Sequence, residues 1–236
     1  HWALKTVFER GQRHHSDAEL PAQIVSRGGG LTYTTSYKLQ HDLEQAQYLA
    51  EQHPELSNLF RDVVAPTYQT LLDRIPPLKE LSPTQGLYPY SAADRQSTAV
   101  DSVYNRALYQ TNIDELKDEL NNDIPIVNPN LNVDETEHQW RSGDHPGIVV
   151  VDDILSLRAV EAIQRILWES TVWYQTKLPL RFGGYVGAYI DDGLHDKILL
   201  KLALELSDRL PRILSGHPLK YLWAYKYDSN YSGINL

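Results

Sequence analysis

Apolar side chains recur at three- and four-residue steps through "SYKLQHDLEQAQYLAEQ", residues 36–52. Leu39, Leu43, Ala46, Leu49 and Ala50 form one stripe there and predict an amphipathic helix. A second helical stretch is expected from about Glu55 to Ile75, with Leu59, Val63, Tyr68 and Leu72 apolar. Pro66 should kink or break it, because proline has no N–H and its ring crowds the preceding turn. The two predict a helical hairpin. Upstream, residues 1–30 end in Gly28, Gly29 and Gly30 and read as a loose lead-in. Downstream, periodicity fails over 76–99 while Pro, Gly, Ser and Thr accumulate, the pattern of a connector.

Three linking elements follow. "NIDELKDELNN" predicts a short polar helix and "NPNLN" a turn, and "VDETEHQWRSG" predicts a helix closed by Gly143. The β-branched run Ile148, Val149, Val150 and Val151 predicts a buried strand. Ser156 can cap a helix whose Leu157, Val160, Ile163 and Leu167 share one face, ending near Glu169. "TVWYQTK" and "GYVGAYI" read as strands, with Gly183, Gly184 and Gly187 marking a turn and a close backbone approach. A long helix is expected from about Asp191 to Leu214, interrupted by Pro211. The last strand alternates cleanly: Leu219, Tyr221, Trp223, Tyr225 and Tyr227 on one face, Lys220, Lys226 and Asp228 on the other. Its aromatic face is expected to be buried, as core or as a pocket wall.

Helices first and strands mixed with helices afterwards predict an α+β fold. The expected division is a helical region with connector over 1–99, linking helices over 100–146 and a sheet-bearing region over 147–236. No fixed-period internal repeat is visible.

Composition narrows the functional classes. The 42 % hydrophobic and 22 % charged fractions are ordinary for a soluble globular protein. No window approaches the roughly 18 consecutive apolar residues of a membrane span, so no membrane insertion is expected. A net charge of −9, from 31 acidic against 22 basic residues, repels phosphate backbones and argues against a nucleic-acid partner. Zero cysteines exclude disulfides, thiolate metal sites and cysteine nucleophiles, leaving His, Asp and Glu for metal chemistry. No charged-then-apolar leader is visible, and the chain starts at His1 and contains no Met, as an interior fragment would.

Candidate ligands are scattered. In "YIDDGLHDK", Asp192 and His195 could share a helical face as two ligands, but acidic residues clustered at a helix start complement its dipole, and that is the stronger reading of Asp191, Asp192 and Asp196. His41 with Glu44 in "HDLE" offers a similar pair, or simply a solvated helix face. Glu135, Glu137, His138, Asp144 and His145 lie close in sequence without a ligand spacing. "GGYVG" lacks the Lys and Ser or Thr of a phosphate loop.

In order, "GIVVVDDILS", "ESTVWYQTK", "GGYVGAYIDDG" and "HPLKYLWAYKYDSNYSGINL" resemble iron(II)- and 2-oxoglutarate-dependent oxygenase-like proteins, which often carry tetratricopeptide repeats upstream. Weaker echoes reach back to residue 35. The resemblance implies that 147–236 are the first part of a double-stranded β-helix, or jelly roll, incomplete in these residues. In that family a strand following the equivalent of "SGINL" carries a His-x-Asp pair that, with a later His, holds Fe(II) and leaves positions for 2-oxoglutarate and dioxygen. It implies no metal ligand in this chain. It offers Tyr227 as a keto-acid contact and Asn235 as a pocket residue. The competing expectation is a catalytically inert scaffold or assembly subunit, binding a protein partner through the helical region or an open sheet edge.

Overall fold

A computed structural model of the chain describes residues 33–227 apart from 85, 90–92, 95–97, 112, 114–115, 118–121 and 177. Asn235 and the lead-in over 1–30 lie outside the described residues. The fold mixes helices with a small antiparallel sheet, as an α+β chain should. Two compact units are assembled from interleaved segments. Among the described residues the first comprises 33–110, 169–194 and 223–227, the second 111–168 and 195–222.

The first unit is organised by helix α1, Ser36–Gln52, whose bounds match the apolar stripe. The Thr35 side chain caps it by accepting from the Lys38 N–H at 3.2 Å. Leu39, Leu43, Ala46, Leu49 and Ala50 are all buried against Phe60, Val64, Tyr68 and Leu71 of the second helical stretch, forming the expected hairpin core. That stretch does not break at Pro66. A 3₁₀ turn Pro54–Leu56 and an α turn Ser57–Leu59 lead into a π turn Phe60–Val64, which hands over to α2, Ala65–Leu72. The widened turn, closed by the Ala65 N–H on the Phe60 carbonyl, makes room for a proline that neither donates nor tolerates the carbonyl four residues back. Strands β1, Tyr33–Thr34, and β2, Tyr88–Pro89, pair antiparallel beside it.

A three-stranded antiparallel sheet completes this unit in the order β3 (Gln175–Thr176), β4 (Tyr185–Tyr189), β5 (Trp223–Tyr227). β3 is shorter than "TVWYQTK" predicts. The main chain before it is bonded elsewhere: the Thr171 N–H donates to the Tyr109 carbonyl at 2.8 Å, and the Tyr174 carbonyl accepts from Asn105 Nδ2 at 3.2 Å. Val172, Trp173 and Tyr174 are therefore buried without being sheet residues. Gly187 provides the close approach expected of it, since a Cβ there would stand 3.0 Å from Tyr225 Cε1.

In the second unit, α3 (Val133–Ser142) is capped by Asn132 and ends at Gly143, and Asn128 accepts from the Asn130 N–H in the expected turn. Helix α4, Leu157–Glu169, begins after Ser156, whose Oγ accepts from the Ala159 N–H at 3.3 Å. α5, Lys197–Arg209, sends Glu205 to receive the Ile126 and Val127 N–H groups at 2.7 and 2.8 Å.

Four expectations fail here. Residues 148–151 are not a buried strand: Ile148 and Val150 are exposed and the Ile148 N–H closes a turn on His145. A β-branched run becomes a strand only where a neighbour completes its ladder. The buried face of α4 is Ala159, Ala162 and Ile166, while Leu157 is 74 % exposed. Within the polar helix expected over 112–122, the described Lys117 instead pairs with Asp123 in an antiparallel bridge. The long helix does not start at Asp191, because Gly193 turns the chain at φ +117° and Asp196 caps the real start by accepting from the Ile198 N–H at 2.8 Å.

The α4 face is checkable by denaturant unfolding. Ile166→Ala should cost about 2 to 5 kcal/mol and Leu157→Ala no more than about 0.5 kcal/mol. The reverse ranking would restore the face read from the Leu and Val positions.

Candidate functional site

β5 separates two chemically different surfaces, and they are reversed relative to expectation. Its aromatic face is open: Trp223, Tyr225 and Tyr227 are exposed, Tyr227 at 58 %. Register explains how the rings fit. Tyr185 faces Tyr227, Gly187 faces Tyr225 and Tyr189 faces Trp223, so the missing side chain at Gly187 leaves space for the Tyr225 ring. Tyr185 lies 4.9 Å from Tyr227 and 5.2 Å from Tyr225 between ring centroids, and the Tyr189 and Tyr225 hydroxyls share a 2.8 Å hydrogen bond. The predicted keto-acid contact Tyr227 thus stands on an accessible tyrosine surface, while its predicted companion Asn235 is not among the described residues.

The opposite face carries Val186 and Ala188, both buried, and Lys226. Small side chains on this face let α1 come close to the sheet. Along α1, Lys38, His41, Asp42 and Gln45 follow the same three- and four-residue steps as the apolar stripe and flank it. Lys38, Asp42 and Gln45 are buried, so the sequence reading of "HDLE" as a solvated face fails at Asp42.

These groups form a connected polar cluster. Asp42 accepts from the Lys38 ammonium through Oδ2 and lies 2.9 Å from His41 Nδ1 through Oδ1. His41 Nε2 lies 3.2 Å from Lys226 Nζ. The Lys226 ammonium sits 4.2 Å from the centroid of the Trp173 ring, and His41 meets the same ring edge-on at 5.9 Å. Gln45 anchors the helix to the segment before β3 by donating to the Ser170 carbonyl at 3.0 Å.

Burial sets the protonation states. It is the largest influence on His41 and pushes its pKa down to about 4, with Lys226 and Lys38 opposing the charged ring and Asp42 favouring it. Burial likewise lowers Lys226 to about 8, against the pull of Asp42 and with help from Lys38. Lys38 is also lowered, by burial first, although Asp42 holds it. For Asp42, burial alone would raise the pKa, but Lys38 and the His41 hydrogen bond bring it below the usual carboxylate range.

A cavity of about 20 Å³ adjoins the cluster, bordered by Lys38, Asp42, Asn105 and Trp173 among others. Buried Asn105 Oδ1 and Trp173 Nε1 have no hydrogen-bonding partner among the described residues, and the space suits a water-sized polar molecule.

The other candidates do not converge. Asp196 is a helix cap, so an acidic residue does serve the start of a helix, and no helix places Asp192 and His195 together. Glu137 is buried and accepts from the Arg212 N–H at 3.0 Å, whereas His138, Asp144 and His145 are exposed. Among the described residues, no group of three or more His, Asp or Glu is arranged to hold a metal ion. No described helix is long and apolar enough to cross a membrane. Comparison with protein-family models, with curated proteins and with solved structures gives no match.

The cluster gives stability a defined pH window. Between pH about 6.5 and about 4 the unfolded chain protonates His41 and the folded chain does not, so stability should fall as the pH drops through that interval. The full interval corresponds to about 3 kcal/mol. Urea unfolding of the wild type and His41→Gln at pH 7 and pH 4.5 measures it. The variant should lose less stability on acidification, and equal losses would show that His41 is not held neutral.

Proposed function

We propose that the parent protein is a non-haem iron(II)- and 2-oxoglutarate-dependent dioxygenase that hydroxylates a substrate, with residues 147–236 contributing the front of a jelly-roll domain but none of the iron ligands. The observation that carries this reading is the open tyrosine face. A sheet surface of Tyr185, Tyr189, Tyr225 and Tyr227 is what one wall of a pocket between two sheets requires: rings for apolar contact and hydroxyls for a carboxylate. It spans β4 and β5, and the sequence of β5 continues into the "SGINL" stretch on which the resemblance rests.

The described residues do not fit an iron centre, since they bring no three ligating side chains together. No metal ligand is therefore assigned to them, and no chemical step is drawn through the metal. The role proposed for Tyr227 is to donate its hydroxyl proton in a hydrogen bond to a carboxylate of the keto acid, with Asn235 as a further pocket residue.

The absence of a ligand group among the described residues also favours a second reading, an inert scaffold or assembly subunit. Among the described residues β5 is last in the sheet order, and an outer strand with an open aromatic face suits pairing with a strand of another protein.

One experiment separates the readings. The intact polypeptide encoded around these residues, loaded with Fe(II) without oxygen and then given 2-oxoglutarate and air, should form succinate. Tyr227→Phe should raise the KM for 2-oxoglutarate about tenfold or more through loss of one hydrogen bond to a charged group. An intact protein that retains no iron and forms no succinate would overturn the oxygenase reading and leave the scaffold.

A further inference from the structure

Lys226 differs from the aromatic residues on either side of it. It faces α1, and its ammonium packs on the ring of Trp173, which is only 2 % exposed. Its Nζ reaches His41 Nε2 at 3.2 Å, and the far nitrogen of that ring, Nδ1, reaches Asp42 Oδ1 at 2.9 Å. With the Nδ1 proton donated to the carboxylate, Nε2 keeps its lone pair and accepts from Lys226. An amine, an imidazole acceptor and an orienting carboxylate are thus hydrogen-bonded in series. Side-chain nucleophiles are activated in this way, and lysines in particular by desolvation beside a second cation, a part Lys38 plays here.

We infer that Lys226 is a covalent capture site for small aldehydes, with His41 and Asp42 as positioning residues and Trp173 as the apolar wall. The inference does not depend on the oxygenase reading. The lone pair of the neutral amine attacks the carbonyl carbon, forming a C–N bond while the carbonyl oxygen takes up a proton. The resulting carbinolamine loses its C–O bond, and both amine hydrogens leave with that oxygen as water. The product is an imine, and nothing is oxidised or reduced.

Three charged or titratable groups of α1 face the amine. Lys38 disfavours the ammonium, Asp42 favours it and His41 stays neutral, while the Trp173 wall adds desolvation. The net pKa of about 8 leaves roughly a tenth of Lys226 as free amine at pH 7, some two orders of magnitude more than an ordinary lysine. His41 holds one N–H and so directs the lone pair away from the ring. Lys226 is half-buried rather than enclosed, so a small carbonyl compound is the class that suits it.

The test uses the full chain, limiting propanal and cyanoborohydride, with peptide mass spectrometry locating the reduced propyl group. Exposed Lys79 is the reference. At pH 7 Lys226 should be labelled about tenfold faster than Lys79, after allowance for restricted access. The ratio should decline above pH 8, once Lys226 has little further free amine to gain. Lys226→Arg should remove that label and leave Lys79 unaffected. A ratio of one or less at pH 7, or a ratio independent of pH, would overturn the inference. His41→Leu should lower the ratio several-fold and His41→Gln, which keeps an acceptor, should restore part of it. Unchanged ratios in both would remove His41 from the site, and if His41→Leu fails to fold, the wild-type profile and His41→Gln still decide.

Discussion

The first unit depends on one demanding constraint, the burial of charge where α1 meets the sheet. Asp42 neutralises Lys38 and orients His41, and His41 in turn meets Lys226 across the gap. Buried ions lose several kcal/mol of hydration each and are tolerated only with good geometry and filled hydrogen-bonding positions. Removing Asp42 would leave buried Lys38 and half-buried Lys226 facing each other's charge. The cluster therefore fixes the register of α1 against β5 more tightly than the interchangeable apolar contacts beside it.

That constraint also explains the tyrosine face. Once Lys226 is committed inward, strand alternation forces Trp223, Tyr225 and Tyr227 outward. Gly187 then has a clear purpose, since a residue with a side chain opposite Tyr225 would push the ring off the sheet. The inner face is correspondingly small, with Val186 and Ala188 against the helix. One strand thus serves both the interior and an open surface with the chemistry of a pocket wall, and both functional readings start from it.

Local signals in the sequence were strong where they concerned short-range geometry. The α1 stripe, the Gly143 stop, the Ser156 start and the β4 strand all follow from contacts within a few residues of each other. The polar cluster was much harder to read. Its members carry an intelligible spacing, with Lys38, His41, Asp42 and Gln45 at helical steps, but that pattern describes a solvated flank equally well. Only the arrival of Lys226, 185 positions later, distinguishes the two.

The sequence by itself determined most of the helical segments, though not the one expected over 112–122, where several helices start and stop, that the fold is α+β, and that β5 has one aromatic and one mixed face. Those properties depend on backbone propensity, capping and side-chain period. The tertiary structure decided which face turns inward, and it reversed expectation for β5 and rotated the buried face of α4 onto Ala159, Ala162 and Ile166. It also left the β-branched run at 148–151 without a ladder. Alternation shows that two faces differ, but burial depends on what packs there. A lysine with a carboxylate, an imidazole and an indole waiting for it can occupy the interior while tyrosines face out.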